Sequence, residues 1–136
     1  MPMPEDTVWH LPRHARSAGR ARTLLREQTA AWKLGDEATE TAVLLLSELV
    51  TNAYRHGRVS PGREIRVRCT LDDDRLRVLV TDANGTLPAP RTASPDDESG
   101  RGLALVAALA DDWGATPRAE GIGKTVWFVL CLTAQP

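Results

Sequence analysis

Ala42, Leu45, Leu46, Leu49, Val50 and Ala53 recur at i, i+3, i+4, i+7, i+8 and i+11, a continuous apolar stripe along one helix. A helix marked in this way needs a second apolar surface to lie on. Asp36 is a suitable N-cap at its start. His56-Gly57 supplies the stop, because glycine adopts the left-handed conformation that ends helices. The opposing surface follows directly. Ile65, Val67, Cys69 and Leu71 alternate with polar residues, and Leu76, Val78 and Val80 do so again after Asp72-Asp73-Asp74. This is the pattern of a β-hairpin with one face buried.

Upstream, Thr7–Leu11 reads as a short strand ended by Pro12. Arg13 to Trp32, rich in Ala, Arg and Leu, reads as a helix before the break at Gly35. Downstream, residues 86–100 contain three prolines and little periodicity, and so read as a long loop. Gly102–Asp111 reads as a third helix, and Trp113–Arg118 and Thr125–Leu132 as two further strands. The order is βα, α, ββ, α, ββ, without repeats. It predicts one domain over residues 1–136 with its core at about 13–132. The expected fold is an α/β (α+β) two-layer sandwich, with three helices on one face of a mixed, mainly antiparallel sheet.

Composition narrows the function. The 17 Lys and Arg against 18 Asp and Glu leave a net charge of −1, which gives no electrostatic case for nucleic acid. The opening MPMPEDTVWH has no basic region followed by an apolar run, and no apolar stretch approaches a membrane span. A cytoplasmic protein with no membrane partner is expected. Cys69 and Cys131 both sit in apolar alternating runs and read as buried, reduced thiols, and no metal-binding spacing is present.

Four features could carry chemistry. Glu48 and Asn52, four apart in SELVTNAYRHG, share one edge of the second helix at the border of its apolar face. A carboxylate there could activate a hydroxyl and a carboxamide oxygen could hold a hard cation; a solvated helix edge is the plain alternative. Asp82 continues the inward series Leu76, Val78, Val80, so it is either a carboxylate seeking a buried partner or a turn residue bonding its own backbone. Gly100-Arg101-Gly102 stands before a helix, as a phosphate-approaching turn or a hinge. Gly121-Ile122-Gly123-Lys124-Thr125 is a hairpin turn or a ligand contact.

Taken together and in this order, E-x-x-x-N, D-x-N-G, G-R-G-L and G-K-T resemble the Bergerat-type ATP-binding fold of gyrase, the ninety-kilodalton heat-shock chaperones, histidine kinases and MutL. SELVTNAYRHG, GRGLALVAALADDWG and GKTVWF look most like the RsbW-type anti-sigma-factor serine/threonine kinases, over roughly residues 15–132. The resemblance implies ATP and Mg²⁺ as cofactors. Glu48 would be the general base and Asn52 the Mg²⁺ ligand, with His56 one turn further on near the phosphates. Asp82 would accept the adenine amino proton and Thr125 would support that contact. Asn84 and Gly85 would form the turn beside the base. Gly100, Arg101, Gly102 and Leu103 would close over the phosphates.

The resemblance also implies partners: an anti-anti-sigma (STAS) protein as phosphoacceptor, a sigma factor, and a second copy of the chain in a homodimer. The arginines of the first helix, Arg13, Arg16, Arg20, Arg22 and Arg26, form either a basic docking surface or a solvated face. Two departures stand out. The family's D-x-G-x-G is here Asp82-Ala83-Asn84-Gly85-Thr86, where asparagine can supply the left-handed turn. An acidic run, Asp96-Asp97-Glu98, occupies the place of an expected basic residue. The kinase reading leads, and a non-catalytic nucleotide-binding interaction module is the alternative.

Overall fold

The paired alternations at 64–72 and 75–82 become the centre of a sheet. A computed structural model describes residues 5–56, 64–82, 98–117 and 124–132. In chain order these form β1 (Glu5–Pro12), α1 (Ser17–Ala31), α2 (Asp36–His56), β2 (Glu64–Asp72), β3 (Arg75–Asp82), α3 (Glu98–Leu109), β4 (Asp112–Pro117) and β5 (Lys124–Cys131). The strands lie in the order β1-β2-β3-β5-β4. Every neighbouring pair among them is antiparallel, so the expected mainly antiparallel sheet has no parallel pair among its described strands. The reason lies in the crossover. β3 and β4, joined through α3, run in the same direction, but β5 inserts between them and pairs antiparallel with both.

Three helices cover this open sheet in an α+β arrangement. α1 lies over β1, α2 over β2, β3 and β5, and α3 beside β4, so the helices follow the order of the strands beneath them. The α2 stripe is fully inward, with Ala42, Leu45, Leu46, Leu49, Val50 and Ala53 all buried. It meets Ile65, Val67 and Cys69 of β2, Leu76, Val78 and Val80 of β3, and Phe128 and Leu130 of β5 in one cluster. Leu25 and Ala21 from α1 and Val106 from α3 complete it. No helix among the described residues is long and apolar enough to cross a membrane.

Several element ends differ from the sequence reading. α1 begins at Ser17, not Arg13; the Ser17 hydroxyl donates to the Pro12 carbonyl, and the Arg16 amide donates to His14 Nδ1 at 3.0 Å. Its C-terminus is closed by Lys33 rather than Gly35. Lys33 has φ 60, its amide donates to the Ala30 carbonyl at 3.0 Å, and the Leu34 amide donates to the Thr29 carbonyl at 2.9 Å. These paired bonds are a Schellman termination with lysine in the left-handed position, and Leu34 folds back onto the core. α3 begins at Glu98, which shortens the expected loop. Asp73, at φ 54, makes the tight β2–β3 reversal.

The two faces of the sheet differ in character. The outer face carries Arg66, Arg68, Arg75 and Arg77, all exposed, with Arg68 gripping Asp6 through Nε–Oδ1 and Nη2–Oδ2 contacts of 2.9 Å. Those bonds hold the Asp6 carboxyl below its ordinary value. On the same face Trp127 lies over Gly114, its register partner on β4. The cysteines divide between the faces: Cys69 is buried on the inner face, whereas Cys131 is exposed, opposite Arg75 on the outer one. This corrects the expectation of two buried thiols, because β5 turns Cys131 away from the core. Burial, with a smaller contribution from the charge of Asp6, pushes the Cys69 thiol up to about 12.

A Cβ on Gly114 would stand 2.7 Å from Trp127 Cζ2. Gly114→Ala is therefore expected to destabilise the protein by about 1–3 kcal/mol in urea unfolding, with altered tryptophan emission, as overpacked sites do; an unchanged midpoint would mean that the indole swings aside freely. Thiol titration of the native protein at pH 8 should label Cys131 and leave Cys69 unreacted until unfolding, because only the thiolate reacts. Two fast-reacting thiols in the native state would contradict the burial of Cys69.

Candidate functional site

The register gathers one end of every strand. Pro12 at the end of β1 is opposite Glu64 at the start of β2, Arg66 is opposite Thr81, and Asp82 at the end of β3 is opposite Lys124 at the start of β5. Pro117, closing β4, is also opposite Lys124. The C-terminal turn of α2 reaches this same end, since Arg13, one residue beyond β1, donates through Nη2 to the Tyr54 carbonyl at 3.1 Å. α3 points back towards it. Its C-terminus feeds β4 at the opposite end, where the Asp111 amide donates to Val129 at 2.9 Å. Twelve residues carry the helix about 18 Å back from there.

Glu48 and Asn52 are half-buried on α2. Their direction follows from what α1 touches. Arg22 donates to Ser47 Oγ at 2.8 Å and Arg26 pairs with both carboxylate oxygens of Glu40, which marks one flank of α2 as facing α1. At about 100° per residue, Glu48 and Asn52 fall on the other flank, the side of α3. Arg22 and Arg26 thus tie α1 to α2, and Arg13 ties the turn before α1 to it, while Arg16, Arg20, Arg22 and Arg26 are all exposed.

Asp82 is only 3% exposed and lies on the inner face, continuing Leu76, Val78 and Val80 as the alternation predicts. Thr125 does not join it. Thr125 is on the outer face, its hydroxyl 2.9 Å from that of Thr81, its register partner. The residue beside Asp82 is Lys124, 5% exposed, which the sequence reading left inside a turn. The signal was available: Lys124, Val126, Phe128 and Leu130 alternate along β5. Leu103 is half-buried against the core. Gly100 and Arg101 fall among the first four residues of α3, whose amides have no acceptor within the helix, and Gly102 follows them. His56 is the last residue of α2, and its side chain lies outside the described residues, as do Asn84 and Gly85.

A cleft of about 260 Å³ lined by His14, Ala15, Ala18, Val50, Thr51 and Tyr54 lies on the α1 flank of α2, away from Glu48 and Asn52. No group of three His, Cys, Asp or Glu suited to a metal occurs among the described residues.

The fold has counterparts among solved structures. Erythrobacter litoralis EL346 blue-light activated histidine kinase matches with a TM-score of 0.58 at 24% identity, over 73% of this chain and 32% of that one. The histidine kinase domain of that protein matches over 89% of this chain and 61% of its own length, with a TM-score of 0.58 at 21% identity. The structure of the RsbU and RsbW domains of Rv1364c from Mycobacterium tuberculosis matches with a TM-score of 0.74 at 23% identity, over 93% of this chain and 32% of that one. The chain thus spans about a third of the larger of these proteins, and at such identities the likeness is one of fold. In sequence, the uncharacterized protein SCO4941 of Streptomyces coelicolor is 38% identical over 78 residues, covering 55% of this chain and 72% of that protein. The model of the histidine kinase-like ATPase domain matches residues 11–130, from the end of β1 to the end of β5, and the chain belongs to that family.

Proposed function

We propose that the chain is an ATP-dependent protein serine/threonine kinase of the anti-sigma-factor type, acting in the cytoplasm on an anti-anti-sigma (STAS) protein, with a sigma factor as a second partner. The observation that carries this reading is the placing of Glu48 and Asn52 on the α3 flank of α2, in a chain of this family whose buried Asp82 ends β3. The likeness to a structure containing an RsbW domain supports the choice of partner.

The residues fit the groups that the family implies. The Asp82 carboxylate, shielded from water, is an acceptor for the exocyclic amine of adenine. The Asn52 carboxamide oxygen is a hard neutral donor of the kind Mg²⁺ takes alongside phosphate oxygens, and such a site needs no cluster of protein ligands. Bound Mg²⁺ would offset the charge that develops on the transferred phosphoryl group. The amides of Gly100 and Arg101 offer donors to phosphate oxygens. Glu48 orients the hydroxyl of the acceptor and takes its proton as the oxygen bonds to the γ-phosphorus and ADP departs.

Calorimetric titration with ATP, with and without Mg²⁺, tests the site. Mg-dependent micromolar binding is expected, weakened about 10- to 100-fold in Asp82→Asn, as befits a lost charge-assisted hydrogen bond; an unchanged affinity in that variant would remove Asp82 from the base site. Glu48→Gln should keep its ATP affinity and lose about 10²- to 10⁴-fold in phosphoryl transfer to a STAS protein. Full residual transfer would exclude Glu48 as the base. Binding without transfer in the unaltered protein would favour the non-catalytic module, in which the nucleotide only regulates partner binding.

A further inference from the structure

Lys124 is 95% removed from solvent contact, on the same inner face as Val126, Phe128 and Leu130, and directly opposite Asp82. Among the described residues, no side-chain hydrogen bond or ion pair reaches its ammonium group. The four-carbon stem is covered, while the ammonium keeps an edge to solvent from which an arriving acceptor can reach it. Directly opposed residues of an antiparallel pair hold their Cβ atoms about 4.5–5.5 Å apart, so whatever approaches Asp82 also comes within reach of Lys124.

We infer that Lys124 is a base-reading residue, donating to a ring nitrogen next to the amine that Asp82 accepts. The inference rests on the ATP-binding reading of the site and deepens it. The exocyclic amine of adenine is a donor flanked by two ring acceptors, N1 and N7. Asp82 supplies an acceptor and Lys124, beside it on the same face, supplies a donor. Their combination turns a single contact into a two-point reading of the purine edge. Thr125 cannot take this part, because its hydroxyl lies on the far face with Thr81. A lysine at this place also makes the contact charge-assisted, and stronger than a hydroxyl could provide.

The experiment is calorimetric titration of the unaltered protein and of Lys124→Met with ATP, 1-deaza-ATP and 7-deaza-ATP, together with thermal melts of both proteins without nucleotide. The unaltered protein should bind one of the two deaza analogues about tenfold or more weaker than ATP. Lys124→Met should bind ATP about tenfold weaker and lose the discrimination among the three, with a melting temperature close to that of the unaltered protein as the check that it is folded. Equal affinity of the unaltered protein for all three nucleotides would overturn the role of Lys124 while leaving the ATP site intact. Retention by Lys124→Met of the original affinity and discrimination would overturn it in the same way. Failure of the unaltered protein to bind ATP at all would remove the ATP-binding reading, and the role of Lys124 with it.

Discussion

The rest of the structure depends on the burial of one helix stripe against three strands. Leu45, Leu46, Leu49 and Val50 of α2 enter the same cluster as Val67, Val78 and Phe128 from β2, β3 and β5. Each large aliphatic side chain so buried contributes about 1.5–3 kcal/mol, against a net stability of about 5–15 kcal/mol for a whole domain. The contact also sets the rotation of α2 about its axis. With the stripe inward, Glu48 and Asn52 stand on the flank towards α3, and Ser47 and Glu40 stand on the flank held by α1. A turn of the helix by one residue would carry the pair away from α3 and expose part of the stripe. Packing and site geometry are therefore consequences of a single interaction.

The insertion of β5 between β3 and β4 has a similar reach. The crossover through α3 takes the chain from one end of the sheet to the other, and β5 brings it back beside β3. The start of β5 thereby lies against the end of β3, which places Lys124 opposite Asp82 although 41 positions separate them in a register fixed only by the sheet. A carboxylate as shielded as that of Asp82 interacts with its surroundings far more strongly than one at the surface, because little solvent screens it. The same end collects the first turns of α3 and the last turn of α2. The candidate site residues lie where the strands stop and the backbone is no longer committed to the ladder.

Much of this was legible along the chain. The stripe at 42–53, the alternations at 65–71 and 76–80 and the inward direction of Asp82 are local consequences of helix and strand periodicity, and the structure carries all of them. The pairing of Glu48 with Asn52 on one edge is equally local, since residues four apart are neighbours on any helix. Termini were less legible. Gly35 looked like the break after α1, yet Lys33 takes the left-handed residue, because the core contact of Leu34 and two backbone bonds offset the strain of a lysine there.

Sequence by itself determined the kinds of elements, their order and, for α2, β2 and β3, which side faces the core, because those follow from the spacing of apolar residues on a backbone of fixed period. Tertiary structure alone decided what lies beside what. Which of the two alternating faces of β5 meets the core is settled by its register against β3 and β4. That register puts Lys124 beside Asp82, sends Thr125 to Thr81 and leaves Cys131 exposed. Side chains alternate with a period of two, so the parity of a strand is settled only when its neighbour fixes the register.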